Sequence, residues 1–251
     1  MLPRCFSFNL RLVLSGLIVR IRRLSNGCFC DPILSYQSAS ELLMTKLCWK
    51  YALLFILTLG LTLGLGAQQH RPDDLVELIT IDSTIKLDIR YATKNNFTHQ
   101  QVYASARCLL RRAAAESLHV VQRELQKQGL SLKVYDGYRP LSVQKKFWEI
   151  CPDDRYVANP AKGSRHNRGA AVDLTIVDHK GRELEMPTPF DDFTEKAGRA
   201  YMKLPKKALQ NRALLERVMT KHGFVAMPSE WWHFDFRGWD RFPIMDEPIA
   251  P

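Results

Sequence analysis

The pattern of apolar and polar positions predicts a mixture of short strands and longer helices. Alternating or β-branched apolar runs predict strands at residues 75–81, 85–89, 132–135, 172–177 and 232–236. Apolar residues spaced near 3.6, with glycine after the first and last segments, predict helices at residues 104–128, 142–150 and 211–222. Helices packed on one side of a small antiparallel sheet give an α+β domain.

Two histidines and an aspartate fall at the edges of two predicted strands. A glycine interrupts the segment before the β-branched run, so His166 is expected in a loop and Asp173 early in the strand. The turn signal at residues 227–229 puts Glu230 just after a turn and His233 in the strand that follows. Antiparallel pairing of the two strands would bring Asp173 and His233 together.

Two imidazoles and one carboxylate suffice as protein ligands of a catalytic zinc ion. Such ligands leave a fourth tetrahedral position for water, and an unligated carboxylate nearby, here Glu230, can accept that water's proton. Asp235 shares a strand face with His233, where it could accept a hydrogen bond that fixes the imidazole tautomer. Taken singly, a histidine or aspartate in such a loop is more often a turn residue than a ligand. It is the joint pattern that indicates a metal-dependent hydrolase.

The two motifs resemble the signature of a known family, S-x-H-x-x-G-x-A-x-D followed by E-x-W-H. Both halves are intact, and the matching residues are Ser164, His166, Gly169, Ala171, Asp173, Glu230, Trp232 and His233. The family is the D-alanyl-D-alanine dipeptidases, relatives of the D,D-carboxypeptidases and of the hedgehog signalling domain. The resemblance covers residues 74–243. It implies the hedgehog/D,D-peptidase-like α+β fold and hydrolysis of the D-Ala-D-Ala dipeptide, an activity linked to peptidoglycan metabolism.

The resemblance also implies a role for each motif residue. It implies one zinc ion per chain, with the ligands His166, Asp173 and His233. Glu230 matches the family's general base. In a third motif, residues 136–140 (DGYRP), Arg139 matches an arginine that stabilises the oxyanion of the tetrahedral intermediate. On this third motif alone, a surface or ion-paired arginine is an equally good interpretation.

Residues that contact the substrate are also implied by the resemblance. Ser164 matches a position beside the substrate carboxylate, to which its hydroxyl could donate a hydrogen bond. Asp191 and Asp192 lie in a stretch similar to the family's loop that carries a carboxylate for the dipeptide's ammonium group, and either of them can be that residue. Asp136 is a further candidate, either for the ammonium group or for supporting a neighbour. The alternative for the pair at 191 and 192 is two solvated loop acids.

Two other functions stay open at this point. A D,D-carboxypeptidase acting on peptidoglycan stem peptides would use the same chemistry in an open cleft. A zinc-stabilised binding or signalling module would lack turnover, and the intact Glu230 and Arg139 argue against it. The physiological purpose, whether glycopeptide resistance, nutrient recycling or wall turnover, is not encoded in these motifs.

The N-terminal part predicts export. Residues 44–67 have a basic start, an apolar run and small residues before Gln68, as in a signal peptide. The apolar run is short for a membrane span, although an uncleaved anchor is the alternative. Residues 1–43 are explained by a start codon assigned too early, or by a targeting or disordered extension in which residues 10–19 form a surface-bound helix. The zinc domain is then 68–251, located in the periplasm or elsewhere outside the cytoplasm.

Charge and cysteine content narrow the range of partners. Half of the formal net charge of +10 lies in the first 50 residues, and later basic residues are dispersed among acids, as in Arg111 and Arg112 near Glu116. This is typical of a solvated surface, so we expect no nucleic-acid partner, no obligate protein partner, and membrane contact only through the N-terminal segment. The domain keeps two of the six cysteines, Cys108 and Cys151, which could pair in an oxidising compartment. The expected partner is a small dipeptide.

Overall fold

The computed structural model of the protein describes residues 71–250 and the backbone of three strands nearer the N-terminus. The chain divides into two compact units, Met1–Gln69 and His70–Pro251. In the first unit the three strands form one antiparallel sheet in chain order. They are β1 (Asn9–Leu14), β2 (Leu17–Arg22) and β3 (Ile33–Tyr36).

The surface-bound helix expected at residues 10–19 is wrong, because this stretch lies in the β1–β2 pair. Leu14 pairs directly with Leu17, and only a serine and a glycine separate them in the sequence. A two-residue link that contains glycine suits a hairpin, and the β-branched residues around it favour extended backbone. The predicted signal peptide at 44–67 lies outside the described residues, as does the rest of the segment 1–43.

A five-stranded sheet forms the centre of the second unit. Its strands are β5 (Lys86–Leu87), β7 (Leu130–Asp136), β8 (Ala171–Asp178), β9 (Phe224–Ala226) and β10 (His233–Phe236). Two further strands, β4 (Leu75–Glu77) and β6 (Leu109–Arg111), pair antiparallel with each other. The helices are α1 (Leu78–Ile81), α2 (Arg112–Gln126), α3 (Leu141–Ile150) and α4 (Lys206–Lys221).

The order of strands in the central sheet is β5-β7-β8-β10-β9. Its neighbours pair antiparallel, except that β5 and β7 are parallel. The prediction of an α+β fold is confirmed, and the expectation of a purely antiparallel sheet is wrong at one edge. The connection between β5 and β7 passes through α2, and a crossover of this kind joins parallel strands.

The core lies where α2 and α4 pack on the sheet. Alternate residues of β8, including Leu174 and Ile176, join Leu118 of α2 and Leu215 of α4 in one hydrophobic cluster. The side chains between them point to the opposite face of the sheet because the period of a strand is two. That opposite face is also buried and carries Asp173. β8 is therefore buried on both faces, with a polar group on one of them.

Two predicted elements differ from the structure because long-range contacts override local pattern. The predicted helix at 104–128 begins only at Arg112, since residues 109–111 form β6 instead. Arg111 is buried, and its guanidinium donates to the carbonyl oxygens of Asp73 (2.6 Å) and Arg168 (2.8 Å). The expectation that Arg111 belongs to a solvated surface is therefore wrong. No local periodicity encodes such partners.

Other boundaries shift by smaller amounts. The strand predicted at 75–81 ends at Glu77 and continues as α1, and the one at 85–89 keeps only two residues. The helix predicted at 211–222 begins earlier, at Lys206, directly after Pro205. The predictions of α3, β7, β8 and β10 are confirmed within a few residues.

Two further observations concern the expected environment of the domain. Cys108 and Cys151 are free thiols, so the pairing considered from the sequence is not formed. Among the residues that the structure describes, no helix is both long and apolar enough to cross a membrane.

Candidate active site

The register of two strands places an aspartate directly opposite a histidine. Asp173 of β8 pairs with His233 of β10, as the antiparallel pairing predicted. His166 precedes β8 in a 3-10 turn that ends at Gly169, whose φ of 66° lies in the left-handed region. This backbone conformation favours glycine, and a β-carbon here would also lie 2.8 Å from Leu75 Cδ1, which would have to move. The turn thereby directs His166 towards the two strands.

These three side chains converge on one point. The distance from Asp173 Oδ1 is 3.0 Å to His233 Nδ1 and 3.5 Å to His166 Nε2, and the two nitrogens are 3.2 Å apart. All three residues are buried, and their candidate ligand atoms lie within 4.8 Å of one another. Asp173 Oδ1 is buried without a hydrogen bond of acceptable geometry. A buried unsatisfied oxygen between two imidazoles fits a metal ion, which would satisfy all three groups.

The remaining ring nitrogens are oriented by acceptors. His166 Nδ1 lies 2.7 Å from the carbonyl oxygen of Gly137, which only accepts, so this nitrogen carries the proton and Nε2 is free to bind metal. His233 Nε2 lies 2.9 Å from Asp235 Oδ1, which leaves its Nδ1 for the metal. The hydrogen bond expected between Asp235 and His233 is therefore present.

The charges in the cluster stabilise each other. Burial alone would raise the pKa of Asp173. The adjacent imidazoles of His166 and His233 outweigh this effect and hold the pKa well below its usual range. Burial opposes protonation of His233, yet its short contacts with the carboxylates of Asp173 and Asp235 raise its pKa to about 10. A proton on His233 would therefore supply positive charge beside Asp173, as a metal ion would. Metal and protons compete for these ligands.

Glu230 lies beside the cluster, at a longer distance than the ligand atoms. Its Oε2 is 3.7 Å from His233 Nδ1, and it lines the same pocket as the cluster. Burial raises the pKa of Glu230 to about 7, against the opposing charge of His233. A carboxylate whose pKa is near neutral and which is close to a metal position can both accept and return a proton. Glu230 therefore lies beside the cluster with a pKa suited to proton transfer.

Arg139 is held rigidly at the pocket wall. Its Nε and Nη2 donate to Asp136 Oδ2 (3.2 and 2.8 Å), and its Nη1 donates to Gln144 Oε1 (2.8 Å). The guanidinium also lies over the rings of Tyr91 and Phe147, at 5.4 and 4.7 Å. The surface interpretation of Arg139 is wrong, because this residue is buried and lines the pocket. The ion-paired interpretation is correct, and the ion-paired Arg139 also lines the pocket.

Asp136 supports Arg139 and does not line the pocket. Its carboxylate is fully buried and also accepts hydrogen bonds from Tyr103 Oη (2.8 Å) and from the Gly137 amide (2.9 Å). Because these donors already occupy its carboxylate, Asp136 supports Arg139. This is one of the two roles that the sequence analysis considered for Asp136. The role as ammonium ligand is not favoured by this position.

The structure distinguishes the two adjacent loop acids. Asp191 lines the pocket, has a φ of 63°, and accepts hydrogen bonds from Tyr91 Oη (3.1 Å) and the Phe97 amide (3.4 Å). Burial, and then the charge of Asp173, raise the pKa of Asp191 to about 8. Asp192 is outside the pocket wall, where its carboxylate accepts a hydrogen bond from the amide of Thr194. Of these two acids, only Asp191 lines the pocket and is in position to contact a ligand there.

The remaining predicted residue, Ser164, lies in the pocket wall and its Oγ accepts a hydrogen bond from the His166 amide (3.2 Å). The cavity has about 530 Å³ of empty space, including the part open to solvent. Its wall contains aromatic residues that the sequence analysis did not single out: Tyr91, Phe97, Phe147, Tyr156 and Phe193. Phe147 lies in α3 and the other four lie outside the strands and α-helices, and no local signal marked any of them as site residues.

A buried His–Asp–His cluster with an unligated glutamate beside it, in an α+β domain, defines the chain as a metallopeptidase. Comparison with known sequences identifies the family. The family model described as D-ala-D-ala dipeptidase matches residues 71–246, and the chain belongs to that family. The resemblance inferred from the motifs is thereby confirmed.

Individual relatives agree with this assignment. The chain is 38% identical over 177 residues to the D-alanyl-D-alanine dipeptidase of Escherichia coli (strain K12). The aligned region covers 70% of this chain and 92% of that protein. The chain is 30% identical over 185 residues to the D-alanyl-D-alanine dipeptidase of Enterococcus faecalis (strain ATCC 700802 / V583), covering 65% and 88%. Among solved structures, VanYB in complex with D-Alanine-D-Alanine is similar at 16% identity and a TM-score of 0.37, covering 55% of this chain and 77% of that one.

Proposed function

We propose that this protein hydrolyses the dipeptide D-Ala-D-Ala with one zinc ion held by His166, Asp173 and His233. One observation carries the proposal: these three ligand groups meet in a pocket that also contains Glu230, which is partly buried and not part of the cluster. Membership of the D-Ala-D-Ala dipeptidase family supports the choice of substrate. The ligand set of two imidazoles and one carboxylate supports zinc as the metal.

In this mechanism, bound zinc supplies Lewis acidity towards the scissile carbonyl and the attacking water. Glu230 accepts a proton from that water and later delivers it to the leaving amine. Arg139 uses three of its five N–H groups on Asp136 and Gln144, so two remain to donate to a developing oxyanion. Because the guanidinium is already fixed, it needs no reorganisation when the negative charge forms.

The two ends of the dipeptide have matching groups in the pocket. Asp191 is the acid that we assign to the substrate ammonium group, because it lines the pocket and a cation there would favour its ionised form. Ser164, next to the ligand His166, is assigned to the carboxylate end through its hydroxyl. A substrate with both ends free would satisfy both groups.

The first prediction concerns the metal. We expect about one zinc per chain in the purified protein, and we expect His166→Ala and His233→Ala to lose most of it, because two ligands hold zinc far more weakly than three. Elemental analysis after dialysis measures the content. His119→Ala is the control, since His119 contacts Asp82 and lies outside the pocket. Full zinc content in both ligand variants would show that the assignment is wrong.

The second prediction separates an enzyme from a binding module. Glu230→Gln should retain zinc and fold but lower kcat for D-Ala-D-Ala by at least ~100-fold, because a positioned proton acceptor contributes that much or more. Steady-state kinetics on zinc-loaded protein test this. A wild-type protein that binds zinc yet hydrolyses no stem fragment would instead be a non-catalytic module.

The third prediction separates a dipeptidase from a D,D-carboxypeptidase. N-acetyl-D-Ala-D-Ala should have a kcat/KM at least ~10-fold below that of the free dipeptide, because acylation leaves the partly buried Asp191 without its cation. Asp191→Asn should reduce this discrimination. Asp192→Asn is the matched control and should keep it, since that carboxylate is outside the pocket wall. Equal hydrolysis of both substrates by the wild-type protein would favour a carboxypeptidase.

We also propose that the protein is exported, on the basis of the signal-like segment at residues 44–67. The mature chain should begin at or close to Gln68 and be recovered outside the cytoplasm, which N-terminal sequencing of the native protein would test. A membrane-bound chain that keeps residues 44–67 would indicate an uncleaved anchor. A soluble cytoplasmic protein that still contains residues 1–43 would contradict export.

A further inference from the structure

A largely buried arginine outside the pocket lining connects both ends of the loop that carries Glu230. Arg199 Nε donates to the carbonyl oxygen of Met227 (2.8 Å), and Nη2 donates to that of Trp231 (2.9 Å) and, at 3.4 Å, to that of His233. The backbone amide of Arg199 donates to the carbonyl oxygen of Pro228 (2.9 Å). One residue thus holds the loop before and after Glu230.

Arg199 is itself fixed by contacts outside the loop. Its Nη1 pairs with Glu216 of α4 at 3.1 Å, and its guanidinium carbon lies 4.7 Å from the centre of the Phe234 ring. The side chain is only 11% exposed, and it does not line the pocket. A planar guanidinium can donate in several fixed directions at once, which a lysine ammonium on a flexible chain cannot do. The interaction is therefore specific to arginine.

Glu230 has little else to hold it in place. Within residues 71–250, its carboxylate accepts no hydrogen bond from the protein, and its only ion pair is the 3.7 Å contact with His233. The position of the carboxylate is consequently set by the backbone of its own loop. That loop is a turn between β9 and β10 without regular structure at residues 227–232.

We propose that Arg199 is a positioning residue for Glu230: by bridging the carbonyl groups of Met227 and Trp231, it holds the base at the distance that proton transfer requires. The inference rests on the proposed function, in which Glu230 is the general base. Misplacing a reacting group by about 1 Å can lower a rate by roughly 100-fold. Substrate binding in this proposal depends on Asp191 and Ser164, to which Arg199 makes no hydrogen bond, so it should be affected much less.

The test compares Arg199→Met with a matched control, Glu216→Gln. The Met variant keeps the apolar stem and removes every side-chain donor to the loop, while the backbone amide of residue 199 can still donate to Pro228. The control removes the charge partner of Arg199 but leaves its donors to the loop carbonyls, and Glu216 is substantially exposed, so its ion pair contributes little. Each zinc-loaded protein is assayed for zinc content, for kcat and KM with D-Ala-D-Ala, and for amide hydrogen exchange in peptides that span residues 227–233.

For Arg199→Met we expect zinc content to be retained, exchange at 227–233 to accelerate, kcat to fall roughly 10- to 100-fold, and KM to change by less than about 3-fold. Glu216→Gln should resemble the wild-type protein in all four. Arg199→Lys provides the same test if the Met variant does not fold, because lysine keeps the charge but cannot bridge the two ends of the loop in one fixed geometry. It should show the same loss of kcat in weaker form.

Three results would overturn the inference: unchanged exchange at 227–233, unchanged kcat in a variant with accelerated exchange, or an equal loss of kcat in Glu216→Gln. Failure of the proposed function would look different, because the wild-type zinc-loaded protein would then not hydrolyse D-Ala-D-Ala. In that case the exchange measurement alone decides whether Arg199 holds the loop.

Discussion

The direct pairing of Asp173 with His233 across β8 and β10 is the constraint on which the site depends. Side chains alternate between the faces of a sheet, so a slip of one residue in this pairing would move one of the two groups to the opposite face. The register is held by the neighbouring pair, Val172 and Phe234, both fully buried in the hydrophobic core. Hydrophobic burial on one face therefore determines where the polar groups lie on the other.

The same burial makes the pocket electrostatically demanding. Asp173, Asp191 and Glu230 all line one cavity, and burial raises the pKa of the last two to about 8 and about 7. Arg139 is a buried cation that lines the same cavity, and Asp136 already neutralises much of its charge. A divalent cation between the imidazoles would lower the pKa of Asp191 and of Glu230 and so favour their ionised forms. Binding of a metal ion would therefore increase the ionised fraction of Asp191 and Glu230, and an ionised carboxylate can accept a proton.

The sequence predicted those parts of the site that lie on strongly patterned segments. Asp173 and His233 could be placed because a β-branched run and an aromatic strand surround them. The choice between Asp191 and Asp192 could not be made, because it depends on a left-handed backbone conformation at the first of them. Tyr91, which holds Asp191 by a hydrogen bond, is 100 residues away in the chain, and no local periodicity reports a contact of that range. For this reason, contacts between loops that meet only in the folded state could not be predicted from the sequence.

Arginines with little exposed surface provide many of those long-range contacts. Arg111, Arg199 and Arg212 each donate to carbonyl oxygens of irregular segments, where no strand or helix would satisfy the backbone. Unpaired carbonyl groups in such segments are unfavourable when buried, and the guanidinium pairs with several of them at once. The basic composition of the domain therefore reflects internal support of its loops as well as a solvated surface. This explains how short, irregular segments can hold catalytic groups in place without regular secondary structure of their own.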